Sequence, residues 1–139
     1  MNFEGVKLLM QEVRWGVLAS TDGAVVGVRP MGSWAWMSDE LWCATSPSSD
    51  KAVQIGKVRH AEYCFARPDG EHVRISGPCI VSADKTVKTR LFDALPSLKK
   101  HHADANDPNF AVIVMKPDRI RYRGVGGHGY EEILPKAGS

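Results

Sequence analysis

The sequence has no long apolar run. The longest, Phe110 to Met115, is six residues, where a bilayer-spanning helix needs about 20. Its start, Met1-Asn2-Phe3-Glu4, has no basic region followed by an apolar stretch, so no export signal is expected. Cysteine is scarce and unpaired in pattern: Cys43, Cys64 and Cys79 form no CxxC, and no HxxxH occurs. Neither a disulfide framework nor a structural zinc site is expected, and reduced thiols in a cytoplasmic protein fit best. The adjacent His101 and His102 do not share a helix face, as metal ligands would. No charge sign dominates either: 18 Lys plus Arg against 16 Asp plus Glu give +2. The basic residues are scattered, as in Lys57-Val58-Arg59, Lys99-Lys100 and Arg119, Arg121, Arg123, with no stripe interleaved with aromatics. Neither a nucleic-acid nor a membrane partner is expected. Internal repeats and low-complexity tracts are absent too.

What remains is ordinary for a folded chain: 139 residues, 43% apolar and 24% charged. That length suits one domain and buries roughly two thirds of the unfolded surface. It is too short for two catalytic domains, so a large cofactor is expected at a surface cleft or between subunits.

Apolar spacing predicts a helix over Phe3 to Val13. Strands are predicted over Trp15 to Ala19 and Ala24 to Arg29, joined by the hairpin signal Thr21-Asp22-Gly23. Pro30 should be bulged or at a sheet edge. Strands follow at Trp34 to Met37 and Leu41 to Thr45. A helix starts in Ser46-Pro47-Ser48-Ser49-Asp50 and runs to about Val58. Ala61 to Ala66 and His72 to Val81 read as strands around the turn Pro68-Asp69-Gly70, the second interrupted at Gly77-Pro78. Asp84 caps a helix ending near Ala94, and Leu98 to His102 adds a helical turn. Phe110 to Met115 and Ile120 to Arg123 complete the strands. The glycine-rich residues 124–139 form a tail that packs on the barrel or on a partner subunit. Hairpins dominate and no βαβ series exists, so the expected fold is mainly β (α+β), an antiparallel sheet closed into a small barrel with peripheral helices.

The segment Ala44-Thr45-Ser46-Pro47-Ser48-Ser49-Asp50-Lys51 carries the clearest chemistry. A strand ends in hydroxyls, a helix begins, and a lysine sits in its first turn. Free helix N–H groups and a nearby cation attract a phosphate. The same residues also fit a simple Ser48 or Ser49 cap with a solvated Lys51. Arg29-Pro30-Met31-Gly32-Ser33 puts an arginine at a strand end beside irregular backbone, suited either to an anion or to an edge bulge. Trp34, Trp36 and Trp42 suit a planar ring, a dimer interface or the core. His72 and Arg74 share a strand face. Gly124 to Gly129 is no dinucleotide fingerprint, because no helix follows.

Taken in order, Gly16-Val17-Leu18-Ala19 with its hairpin, Val28-Arg29-Pro30-Met31-Gly32, Leu41-Trp42-Cys43-Ala44-Thr45-Ser46, Lys51 with Gln54-Ile55, and Val73-Arg74-Ile75-Ser76-Gly77 resemble the pyridoxamine 5′-phosphate oxidase-like FMN-binding split barrels. The general stress protein type is the closest, and the resemblance covers residues 3 to 123. It implies a six-stranded antiparallel split barrel over residues 1–123 and a homodimer with FMN between the subunits. The implied function is oxidoreduction, with hydride or electrons passing between a small-molecule substrate and the flavin. By the resemblance, Arg29, Pro30, Met31, Gly32, Ser33 and Trp34 flank the isoalloxazine and ribityl chain. Ala44 and Thr45 line the ribityl and phosphate region, and Ser49, Asp50 and Lys51 grip the phosphate. His72 approaches the cofactor from the other subunit. The chain departs from the vitamin B6 oxidases themselves. Asp50 replaces an Arg, Trp34 replaces a Lys, and the C-terminal Trp and Arg-x-His pattern are missing, so that substrate is not implied. Asp50 would then cap the helix. The alternatives are a non-enzymatic FMN-binding or stress-related module, or a split barrel holding deazaflavin or haem, for which His72 or His128 would be the axial ligand.

Overall fold

A computed structural model describes residues 1–134; residues 135–139, the end of the expected tail, lie outside the described residues. The chain runs α1 (Phe3–Val13), β1 (Gly16–Thr21), β2 (Val26–Met31), β3 (Trp34–Met37), β4 (Glu40–Thr45), α2 (Asp50–Lys57), β5 (His60–Ala66), β6 (His72–Ser82), α3 (Lys85–Ala94), a 3₁₀ turn at Pro96–Lys100, β7 (Ala111–Met115), β8 (Arg119–Arg123) and β9 (Glu131–Ile133). No helix among the described residues is long and apolar enough to cross a membrane.

The strands form one curled antiparallel sheet in the order β2-β1-β5-β6-β7-β4-β3, with β8 and then β9 branching from β6. This is a split barrel with three α-helices. Among the described residues it contains nine strands rather than the six implied by the resemblance. One addition is β9, which the glycine-rich tail contributes by pairing with β8 from Ile120↔Ile133 to Tyr122↔Glu131.

β6 makes the split. The strand is continuous through Gly77-Pro78, where an interruption is expected from sequence, but it changes partners there. Its first part pairs with β5 up to His60↔Pro78, and its second with β7 from Cys79↔Met115. Pro78 has no N–H, yet its carbonyl accepts from Lys116 N at 3.0 Å and the next amide, Cys79 N, donates to Arg59 O at 3.0 Å. Backbone pairing therefore survives the proline. Gly77 is needed for a different reason: a Cβ there would sit 2.4 Å from Lys116 O and 2.9 Å from Pro117 Cα.

Two apolar clusters lie on opposite sides of β4 and β7. The larger joins Phe3, Val6, Leu9 and Met10 of α1 to Leu18, Tyr63, Phe65, Ile75, Ile113 and Met115. The smaller joins Trp42, Val112 and Val114 to Leu91, Phe92, Leu95, Leu98 and Phe110 around α3. All five residues of β7 are buried because alternate side chains enter different clusters, which explains its unbroken apolar sequence.

Local chemistry sets the element ends. β2 begins at Val26 rather than Ala24 because Asp22 captures the amides of Ala24 and Val25, each at 2.9 Å. Gly23 completes the turn at φ 99°, a region that favours glycine. β2 is an edge strand, as Pro30 demands. Asp84 caps α3 through Val87 N at 3.1 Å. The helical turn expected over Leu98 to His102 instead starts at Pro96, whose fixed φ suits a first helical position.

Two glycines give opposite outcomes on substitution. Gly77→Ala drives a methyl into backbone and should destabilise the fold by about 1–3 kcal/mol or more. Gly56, in the exposed interior of α2, has no atom within 4 Å of an added Cβ, so Gly56→Ala should stabilise by about 0.5–1 kcal/mol. Urea unfolding midpoints of the two variants check both signs.

Candidate functional site

The site forms where the β1–β2 hairpin meets the start of α2. Pairing places Arg29 opposite Leu18, with Ser20 two residues further along the same face. The Arg29 guanidinium donates to Ser20 Oγ at 2.7 Å, to Leu18 O at 3.2 Å and to Gln54 Oε1 at 3.4 Å. Ser20 accepts from Arg29 and donates to Gln54 at 2.5 Å. Gly27 clears the path, since a Cβ there would lie 2.4 Å from Arg29 Nη2. Arg29 therefore lies folded over its own sheet against α2, in a fixed pose.

Lys51 stands in the first turn of α2 and is half-buried. Burial pushes its amine pKa down, and the Arg29 charge pushes the same way, against the Cys43 thiol. Burial likewise lowers Arg29, with Asp50 partly offsetting it. Among the described residues, neither cation has a carboxylate within ion-pair distance, and Lys51 has no hydrogen-bond partner. Two part-buried cations that repel each other, with no carboxylate within ion-pair distance among the described residues, could hold an anion.

Ser49, not Asp50, caps α2. Its hydroxyl accepts from Ala52 N at 3.3 Å, donates to Ser46 O at 2.8 Å and lies 2.8 Å from Thr45 Oγ1. The expected capping role of Asp50 is corrected: it is the first helical residue and is exposed. With Ala52 N taken by the Ser49 hydroxyl and Val53 N by Ser49 O, the amides of Asp50 and Lys51 are the first-turn donors that helix geometry leaves open. Ser46 and Ser48 hydroxyls lie 3.1 Å apart on the exposed loop just before the helix.

The other sequence-predicted residues divide into three groups. Ser33 and Ala44 are joined through Ala44 N to Ser33 O at 2.9 Å, so they line the strand ends beside Thr45. Met31 and Trp34 are core residues. The Trp34 indole donates to Arg14 O at 2.7 Å and packs edge-on against Phe65, with the Arg14 guanidinium 4.5 Å from its ring. A ligand could reach Trp34 only through its backbone, and its carbonyl and that of Gly32 already accept from Arg14 at 3.3 and 2.7 Å. Pro30 is exposed on the opposite face of β2, opposite Val17.

His72 is not brought to Arg29 and Lys51 within one chain. It opens β6, which is separated from β2 by β1 and β5, and its Nδ1 and Nε2 lie 2.8 Å from Gly70 O and from the Tyr130 hydroxyl. With both nitrogens engaged, axial ligation of a haem would require breaking one contact. No group of three or more His, Cys, Asp or Glu among the described residues suits a metal. Sequence reasoning missed the roles of Ser20 and Gln54 in holding Arg29. A signal existed: Ser20 is the polar member of an otherwise apolar inward series on β1.

The profile of the Pyridoxamine 5′-phosphate oxidase like family matches residues 2–127. No protein with a curated description matches in sequence. Among solved structures, a NimC/NimA family protein from Clostridium acetobutylicum is 22% identical, with TM-score 0.78 over 94% of this chain and 92% of that one. General Stress Protein 26 from Bacillus anthracis is 23% identical, with TM-score 0.74 over 93% and 96%. A pyridoxamine 5′-phosphate oxidase-related, FMN binding protein from Nostoc punctiforme is 16% identical, with TM-score 0.72 over 93% and 86%. At these identities the likeness is one of fold.

The thiols beneath the site are not nucleophiles. Burial pushes Cys43 up to about 11 and Cys79 up to about 12, so neither forms thiolate near neutral pH. Cys64 is only half-buried. Iodoacetamide labelling of the native protein at pH 8 should modify Cys64 first, and Cys43 and Cys79 should react only on unfolding. Mass spectrometry of the labelled peptides reads the order.

Proposed function

The chain belongs to the pyridoxamine 5′-phosphate oxidase-like family, and from that premise we propose that it is an FMN-binding oxidoreductase acting as a homodimer on a small-molecule substrate. The observation that carries the reading is the Arg29–Lys51 pair, half-buried and without a carboxylate partner among the described residues. A phosphomonoester supplies the dianion that such a pair needs. Lys51 gives it a full charge, the amides of Asp50 and Lys51 give it N–H donors, and Ser46 and Ser48 lie beside it. Ser20 and Gln54 keep Arg29 in place, so little ordering is left for binding to supply. The flavin, when bound, supplies hydride and electron transfer; the chain supplies charge, orientation and exclusion of water.

The homodimer has its own support. Arg29 faces the α2 side, so by strand alternation Val26, Val28 and Pro30 face the other way, beside Val17. Val26 is 70% exposed, Val28 64% and Val17 40%. This apolar face fits a second copy packed across β1 and β2. The three unpaired thiols support a reducing, cytoplasmic compartment.

Absorbance of the purified protein, with and without added FMN, tests the central reading. A yellow protein, or one that captures FMN, is expected; a colourless protein that ignores FMN overturns it. Lys51→Ala should weaken FMN binding about 10–100-fold, since a charged hydrogen bond is lost. Lys57→Ala, at the exposed end of the same helix, should leave it unchanged. Reduction by NADH or NADPH followed by reoxidation separates an enzyme from a carrier. Val28→Glu should shift the protein to a monomer in size-exclusion chromatography with light scattering.

A further inference from the structure

The outward face of the sheet carries a second charged group. Arg74 on β6 and Arg121 on β8 stand directly opposite each other, an arrangement that repels. Glu62 on β5 is the carboxylate between them. It accepts from Arg74 Nε at 3.2 Å and Nη2 at 2.8 Å, and from Arg121 Nη2 at 3.2 Å. The neighbouring arginines are committed elsewhere: Arg119 to Glu132 at 2.9 Å and Arg123 to Gly127 O at 3.1 Å. Two guanidiniums therefore share one carboxylate and keep one surplus positive charge.

An aromatic ring covers that charge. The Arg74 and Arg121 guanidinium carbons lie 5.5 and 5.3 Å from the Tyr130 ring centre, within cation–π range. The Tyr130 hydroxyl sits 2.8 Å from His72 Nε2. His72 Nδ1 lies 2.8 Å from Gly70 O, and a carbonyl only accepts, so Nδ1 carries a proton, and in the neutral ring Nε2 accepts from the hydroxyl. The slot thus specifies two properties at once: an electron-rich flat ring and a hydroxyl that donates to His72.

Tyr130 is weakly tethered in this slot. It is 37% exposed, and it follows a segment containing Gly124, Gly126, Gly127 and Gly129. An added Cβ at Gly126 or Gly129 would meet nothing within 4 Å, so that backbone packs against little. A free ring of the same chemistry can replace it at small cost.

We propose that His72, Arg74 and Arg121 form a binding subsite for a hydroxyaromatic ring of the phenol or hydroquinone class, which takes the place of Tyr130. His72 accepts the ligand's hydroxyl hydrogen bond, and the two guanidiniums hold the ring. As a substrate subsite this rests on the flavin reading, but the binding itself uses only this chain's residues.

Titration with p-cresol, followed by calorimetry and by the His72 ring resonances, tests the subsite on the full chain without added FMN. Saturable binding to the wild type is expected, about tenfold tighter in Tyr130→Ala, where the competing ring is gone. 4-Methylanisole, which has no hydroxyl hydrogen, should bind at least about tenfold more weakly. His72→Phe should abolish that preference. No saturable binding to the wild type, equal affinity of the wild type and Tyr130→Ala, or equal affinity for the two probes would overturn the proposal. Because FMN is absent from the titration, a protein that fails to bind flavin can still pass, and a flavoprotein can still fail.

Discussion

The two-residue alternation of a curled edge hairpin governs this molecule. β1 and β2 are short, and every second side chain must face the helix side while its neighbours face outward. Leu18, Ser20 and Arg29 fall on one side; Val17, Val26, Val28 and Pro30 fall on the other. A slip of one residue would put the arginine outside and the valines against α2. The Asp22 turn prevents the slip by capturing the amides of Ala24 and Val25. Arg29 and an apolar face thus share the six residues of β2, and neither could be moved without the other.

That constraint also explains the electrostatics. The total charge of +2 conceals two local excesses. On one face Arg29 and Lys51 approach each other without a carboxylate partner; on the other, Arg74 and Arg121 share Glu62. Several carboxylates elsewhere are tied to other partners, as Glu71 is to Arg67 and to the Tyr122 hydroxyl, and Glu132 to Arg119. Like charges held at fixed sites disfavour the fold, and the opposing stabilisation comes from the apolar clusters around α1 and β7.

Much of this was legible in the sequence, because the signals were local. α1 and β3 have the limits that their spacing predicts, and Lys51 was marked by its place just after a hydroxyl-rich helix start. Non-local features were less visible. Gly77-Pro78 reads as an interruption, and only the two partner strands show why β6 continues through it. Trp34 is itself a candidate ligand residue by the resemblance, but packing against Phe65 puts its ring in the core. Tyr130 gave no signal, since its partners His72, Arg74 and Arg121 come from two other strands.

The glycine-rich tail gains a meaning from that last point. Sequence alone makes residues 124–139 a glycine-rich tail that packs on the barrel or on a partner subunit, with residues 124–129 its most glycine-rich part. In the fold they are the turn of the β8–β9 hairpin, and β9 is anchored by buried Ile133 and by the Met1 amine on Glu131 at 3.1 Å. A tight hairpin turn would hold the residues at its base rigidly against the neighbouring strands. This long, glycine-rich one anchors β9 while leaving Tyr130 free to exchange, so the same sheet can carry a fixed arginine on its inner face and a replaceable ring on its outer one.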